Sequence, residues 1–595
     1  MLRPAYAVAA LLLLWFPAFG QQDSGQQSLP SSTKIPPAAY ESGGARPQQE
    51  FAKLTARTDL VLVPIIVTDK SGKHVSGLRK EAFHIEEDGN LRSVSVFEET
   101  ETEKPVARGK DTVSDGYSNF TFGDEHPWRL TAIVLDMINT PWMRQLEAKR
   151  QLIDYLLRSA LHDEPVAIFG LNGSGLHQLH PFTADTRVLI VALQKLKLSL
   201  SSDEGTQPPE VVTDDPSEEQ QASDEEQLMS DFMQDLSDTL VANYQRIASR
   251  ETLLGMTQLA RAFQAFPGRK TLIWASAGFP FIIDDPQSFA RQGDDLRGEY
   301  EEAWRALNSA NIAVYPVDLN ALDFSTRNLP SANSGISSTQ INNMRGVNGP
   351  KSALRLPYDK GSQQRMTQHA FADATGGRAC VTVDELEKCF AEAVDDSRAY
   401  YLVGYYLGAD TQPGWRKLKV KVAGDGLRVR YRSGFYVAPK IQDSPALRRQ
   451  QLVDALASPV QYTGLRLTAR LLPPSSEPPS DPPASTTGTK RTAEFMLGVM
   501  GSSLTIDREK GNAIDLEVIV LAFDNNHKSV ATTAQAIATS LKPEMMQQTL
   551  KTGLGIPEKL DLAPGKYEVK FAVRDNAGGL LGTVSVPLEL KQNRP

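Results

Sequence analysis

Leu130-Thr131-Ala132-Ile133-Val134-Leu135-Asp136-Met137-Ile138-Asn139-Thr140-Pro141-Trp142 is the stretch on which the reading of this chain turns. An apolar run from Leu130 to Leu135 ends in an acid, a loop follows, and Gln145 to Leu161 then carries Leu152, Ile153, Leu156, Leu157 and Ala160 on one helical face. Apolar runs of this kind mark strands buried on both sides, because water leaves neither face free to be polar. Val166 to Leu171, Leu272 to Ala275 and Ile312 to Val317 repeat the pattern, with helical segments between them. The expected fold class over 128–397 is therefore α/β, with a doubly wound, mostly parallel sheet. In such sheets ligands sit beyond the carboxyl ends of the strands, which directs attention to Asp136.

Working outward, the rhythm changes to β on both sides. Leu60 to Val67 is an apolar, β-branched run, Asp69 to Lys73 has turn chemistry, and Phe83 to Glu87 and Val94 to Phe97 alternate. Ala399 to Tyr406, Trp415 to Val422 and Leu427 to Val437 read as strands again. Neither β segment, 58–100 nor 398–438, is large enough to stand alone, so the two are expected to pair, with the α/β unit inserted between them. Two insertions interrupt that unit: 199–238, acidic and without core density, and 320–365, rich in Asn, Ser and Gly. Six prolines between Pro473 and Pro483 mark an extended linker over 472–491. The short strands beyond it predict a C-terminal β-sandwich over 492–595.

Residues 1–20 have the form of a signal peptide: Arg3, an apolar stretch from Ala5 to Phe16, and small residues before Gln21. Residues 21–57 are Gln-, Ser- and Pro-rich and read as a disordered linker. These features predict an extracytoplasmic protein, periplasmic or secreted, with no membrane span in the mature chain. Cys380 and Cys389 suit an oxidising compartment; they form either a local disulfide or two small buried hydrophobes. The formal charge of −9 is local, since thirteen acids lie between Asp203 and Asp238. Nothing forms the basic footprint of a nucleic-acid binder, so no nucleic-acid partner is expected.

Several segments in order resemble the von Willebrand factor type A-related proteins of the acidobacterial type. They are the loop from Leu135 to Trp142, Gly268 to Pro280, Ala310 to Asp318, Ala374 to Arg378 with Tyr400 to Tyr406, and Asp69 to Glu98 with its Glu86-Glu87-Asp88-Gly89 turn. The resemblance covers roughly Thr58 to Val437. It implies a site for Mg²⁺ or Mn²⁺ built from an Asp-x-Ser-x-Ser loop, a threonine from a second loop and an Asp after the central strand, all hard oxygen ligands. Asp136 matches the first position, Thr140 the second serine, Thr252 the threonine and Ser276 the strand-end acid, with Asn139 as a substitute ligand. Ile138 falls where the first serine belongs and offers no ligand. The implied site is degenerate, its metal bound weakly or not at all. The alternative role for Asp136 is to cap the following turn.

Enzyme signatures are missing: there is no His-Glu-x-x-His, no phosphate loop and no Gly-x-Ser-x-Gly elbow. His177 and His180 fall in a strand-like segment, where three residues apart means opposite faces. Asn119 and Asn172 begin glycosylation-type triplets. The expected function is non-enzymatic binding or adhesion, through recognition of a protein or cell-surface ligand. The alternatives are an envelope assembly or structural component, and an extracytoplasmic hydrolase without a recognisable motif.

Overall fold

The computed structural model describes residues 60–101, 116–120, 130–158, 165–198, 224–264, 266, 268–279, 296–319, 360–381, 386–408, 411–437, 444–473, 491–508 and 510–591. The leader, the 21–57 linker and most of the Pro-rich linker lie outside them. The chain divides into two compact units, one of 58–444 with 458–467, the other of 445–457 with the chain from 468 onward.

In the first unit the strands are β1 Leu60–Thr68, β2 Phe83–Glu87, β3 Asn90–Arg92, β4 Val96–Glu101, β5 Tyr117–Ser118, β6 Thr131–Asp136, β7 Val166–Asn172, β8 Gly175–Thr183, β9 Lys270–Ser276, β10 Ile312–Asp318, β11 Ala399–Tyr406, β12 Gly414–Val422, β13 Arg428–Arg430 and β14 Gly434–Val437. Its helices are α1 Trp142–Arg158, α2 Thr186–Lys195, α3 Asp224–Ala262, α4 Arg297–Ser309, α5 Lys360–Thr375 and α6 Leu386–Asp395.

The central sheet has the order β10-β9-β6-β7-β8. Its first four strands are parallel and β8 is antiparallel to β7, so the sheet is mixed. β6, β9 and β10 are buried along their whole length, as continuous apolar runs require. Ile133, Leu135, Ile273, Ala275 and Tyr315 face α1, α2 and α6 through Leu152, Leu156, Leu189, Leu193 and Phe390. The other face carries Trp274, whose ring meets Phe279 at a tilt and lies against Gly255 of α3, while Phe279 in turn stacks on Phe371 of α5. β10 is the edge strand, and this is where Pro316, lacking an N–H, is tolerated. Past it, Cys380 donates its N–H to the Pro316 carbonyl at 2.8 Å and is bonded to Cys389 of α6. The Cα atoms stand 6.1 Å apart, within the range a disulfide spans.

The flanking β segments do pair. β1 lies antiparallel to β11, which continues to β4, and β12 pairs with β2. The sheets β13-β1-β11-β4 and β14-β12-β2-β3 share a core of Val63, Ile65, Phe83, Ile85, Tyr401 and Tyr405. The tyrosine-rich strand splits by face: Tyr401 and Tyr405 are fully buried, Tyr400 is buried with its hydroxyl accepting from Arg269 N, and Tyr406 is exposed. The α/β unit enters after β4 and leaves at β11.

Three sequence expectations are corrected here. The acidic insertion 199–238 is not wholly irregular, because α3 starts at Asp224 and runs 39 residues. The loop insertion 320–365 ends earlier, since α5 starts at Lys360. The Asn119 triplet is no glycan acceptor. Asn119 is buried, its Nδ2 donating to the Tyr462 and Leu465 carbonyls and its Oδ1 accepting from Leu467 N.

The second unit is mostly β. It contains α7 Pro445–Ala457, β15 Leu467–Leu471, β16 Arg491–Val499, β17 Ala513–Asp524, β18 Ser529–Ser540, α8 Pro543–Thr552, β19 Leu554–Leu562, β20 Gly565–Asp575 and β21 Leu580–Leu590. One sheet runs β18-β17-β20-β21, and β19-β16-β15 run side by side in another. Phe495 and Phe571 meet with ring centroids 5.3 Å apart. The unit therefore starts at Pro445 rather than at 492, because α7 packs on β20, where Arg574 Nε donates to Gln451 Oε1 at 2.9 Å.

Candidate functional site

The site is built where β6 stops. The strand stops where Met137 N and Ile138 N both donate to the Leu171 carbonyl, and Pro141 opens α1 by supplying the carbonyl that accepts from Gln145 N at 3.0 Å. The turn is tied down from inside. Gln145 is buried and its Nε2 donates to the carbonyls of Met137 at 2.9 Å and Thr140 at 2.6 Å.

Asp136 is 1% exposed. Its Oδ1 accepts from Asn139 N at 3.2 Å, the capping turn considered above. Asn139 Nδ2 reaches both carboxylate oxygens, at 3.0 and 2.9 Å, and also the Thr252 hydroxyl at 2.9 Å. Trp274 Nε1 donates to Oδ2 at 3.0 Å. Burial pushes the carboxyl up to about 6, and the hydrogen bonds from Asn139 and Trp274 oppose that rise. The group is a carboxylate taken out of water and given back its hydrogen bonds by protein donors.

The candidate ligand residues do converge, though not as ligands. Thr252 stands in the middle of α3, not on a loop, and its hydroxyl donates to the Ala248 carbonyl at 2.8 Å. The Thr140 hydroxyl accepts from Ala277 N at 3.0 Å, joining the first turn to the end of β9. Ser276 ends β9 with its hydroxyl on the Gly278 carbonyl at 2.7 Å. Trp274 was not legible as a site residue, although register gives it away. It pairs with Val134, and Asp136 shares Val134's face by the two-residue period.

The residues present do not fit a hard divalent ion. Such an ion needs lone pairs, whereas the groups aimed at Asp136 are the Asn139 amide and the Trp274 indole N–H, both donors. The next strand-end carboxylate, Asp318, is on β10, two strands from Asp136 and thus about 10 Å away. Among the described residues no three His, Cys, Asp or Glu side chains gather at a metal-binding separation. His177 and His180 do not meet; His177 bonds Asn172 Oδ1 and His180 the Pro181 carbonyl.

Beside Asp136 lies a small pocket lined by Met137, Thr140, Gln145, Leu196, Leu198 and Leu319, with room for about one water. The first two turns of α1 rim this end of the sheet, with Trp142 45%, Met143 42% and Leu146 47% exposed.

A scan of protein-family models and a search of curated proteins return no match. Among solved structures the chain has a partial likeness to a β-glucuronidase from glycoside hydrolase family 2, at 11% identity and a TM-score of 0.12. It covers 31% of this chain and 19% of that one, so the chain spans about a fifth of that enzyme. No helix among the described residues is long and apolar enough to cross a membrane.

Proposed function

We propose that this is an extracytoplasmic, non-enzymatic binding protein whose central α/β unit is a doubly wound, von Willebrand A-related domain carried between β elements, with a β-sandwich following it. It recognises a protein or cell-surface ligand through the end of the sheet at Asp136. The observation that carries this reading is the apolar rim. Trp142, Met143 and Leu146 are each more than 40% exposed on the helix that leaves the Asp136 turn. Large side chains placed in water at a strand's carboxyl end suit a contact surface better than a stabilising role. The buried Cys380–Cys389 bond supports the oxidising address.

The test is binding. Immobilised wild-type protein is expected to retain a partner from its native extracytoplasmic fraction, and the Trp142→Ala, Leu146→Ala double variant, with unchanged melting, is expected to lose it. Equal retention by both proteins places recognition elsewhere. Turnover on ester, peptide or glycan panels that disappears with one point mutation defeats the non-enzymatic reading.

A further inference from the structure

We infer that the Asn139 side-chain amide takes the place of a divalent cation, so that the Asp136 turn is held in its working shape with no metal. The inference uses the assignment of Asp136 to the metal position but not the recognition role, and it is tested without any ligand.

The orientation of the amide follows from chemistry. The Thr252 hydroxyl spends its proton on the Ala248 carbonyl, so toward Asn139 it can only accept. Asp136 as a carboxylate only accepts. The group lying within 3.0 Å of both carboxylate oxygens and of Thr252 Oγ1 must therefore donate, which makes it the NH₂ and not the carbonyl oxygen. A carbonyl turned that way would face three acceptors.

Its position is where an ion bridging an aspartate and a threonine hydroxyl would stand. An ion at the 2.0–2.1 Å that Mg²⁺ demands would collide with the nitrogen. The remaining carboxylate positions are used by Asn139 N and by the Trp274 indole, which cannot turn a lone pair toward a cation. Ile138, buried at 5% exposure, supplies no oxygen. The amide does what a cation would do structurally, linking β6 to α3. It carries no net charge and does not exchange with solvent ions.

The experiment uses the full chain and a gain of metal dependence. Wild-type protein is expected to melt at the same temperature in EDTA and in millimolar MnCl₂, and to show no Mn²⁺ binding by calorimetry. Asn139→Asp sets a second carboxylate against Asp136. It is expected to melt many degrees below wild type in EDTA and to recover most of the loss in MnCl₂. Asn139→Ala is expected to lose stability equally in both media. Sub-millimolar Mn²⁺ binding by wild type that is abolished in Asp136→Ala overturns the inference. An Asn139→Asp protein as stable in EDTA as wild type also overturns it. If Asn139→Asp cannot be purified, the wild-type titration and Asn139→Ala decide between the same two outcomes.

Discussion

Lys270 opens β9 at 2% exposure, and its ammonium faces the Phe266 carbonyl, with no carboxylate paired to it among the described residues. Burial drives its pKa down from the ordinary 10.5 to about 7. Between those values the unfolded chain holds a proton that the folded chain has released, so stability rises with pH across that window. The full penalty is felt below it. Lys270→Met keeps most of the aliphatic volume and removes the charge. It is expected to be more stable at pH 7 and to abolish a slope of up to about 1.4 kcal/mol per pH unit between pH 7 and 10. Urea midpoints of both proteins at pH 7, 8 and 9 check this, and an unchanged slope in the variant refutes it. A second expectation concerns Trp274→Phe, which keeps a ring but deletes the donor to Asp136. It should cost about 1.5–3 kcal/mol, the range for a hydrogen bond to a charged group, read as a lower urea midpoint at neutral pH. Asp136 was legible because a strand ending in an acid before a Pro-opened helix is a local signal. Trp274, Gln145 and Lys270 were not, because their roles depend on which strand lies beside which. Asp396, just past the end of α6, takes a role that depends on the same kind of neighbourhood: it accepts from the Tyr315 hydroxyl at 2.6 Å and pairs with Arg430.

Elements were legible in proportion to how completely they are buried. β6, β7, β9 and β10 are nearly unbroken apolar runs and declare themselves. β8 does not, since Gly175 to Thr183 mixes His, Gln and Pro on an edge with one face partly wet. It reverses the last step of the sheet by a tight return from Asn172 to Gly175 that no long crossover announces. Acids dominate the first turns of α3 and hide its start in the sequence, and the helix persists there as the extension of a segment buried by Leu253, Met256, Leu259 and Ala260. The short Cys380 bridge depends on a staple that spacing alone left open. A bond closing a loop of about ten residues is worth about 2–3 kcal/mol in the chain-entropy account. Cys380→Ala with Cys389→Ala is therefore expected to lower the thermal midpoint by several degrees. Because both sulfurs are nearly inaccessible, native protein treated with reductant is expected to resist alkylation until it is unfolded. Rapid native alkylation contradicts that burial.

At the scale of the whole molecule the chain does not change units at a single boundary. It leaves the first unit at Ser444, spends Pro445–Ala457 in the second, and returns for 458–467 before leaving for good. The returning segment belongs to the first unit's interior. Tyr462, Leu465 and Val460 are at most 4% exposed, Thr463 Oγ1 donates to the Ala262 carbonyl at 2.6 Å, and Arg261 lies over the Tyr462 ring. It also satisfies Asn119, whose side chain exchanges three hydrogen bonds with Tyr462, Leu465 and Leu467. A truncation at Ser444 looks reasonable from composition, since the strands end at Val437 and the prolines come later. Physically it strips Val460, Tyr462 and Leu465 from the core and leaves a buried asparagine without its partners, each worth about 1–3 kcal/mol. A fragment of residues 58–467 is expected to fold cooperatively, whereas one of residues 58–444 is expected to melt well below it or to aggregate. Differential scanning calorimetry of the two fragments decides this. Equal midpoints would mean that the returning segment is an ornament on the first unit and that the boundary lies at Ser444.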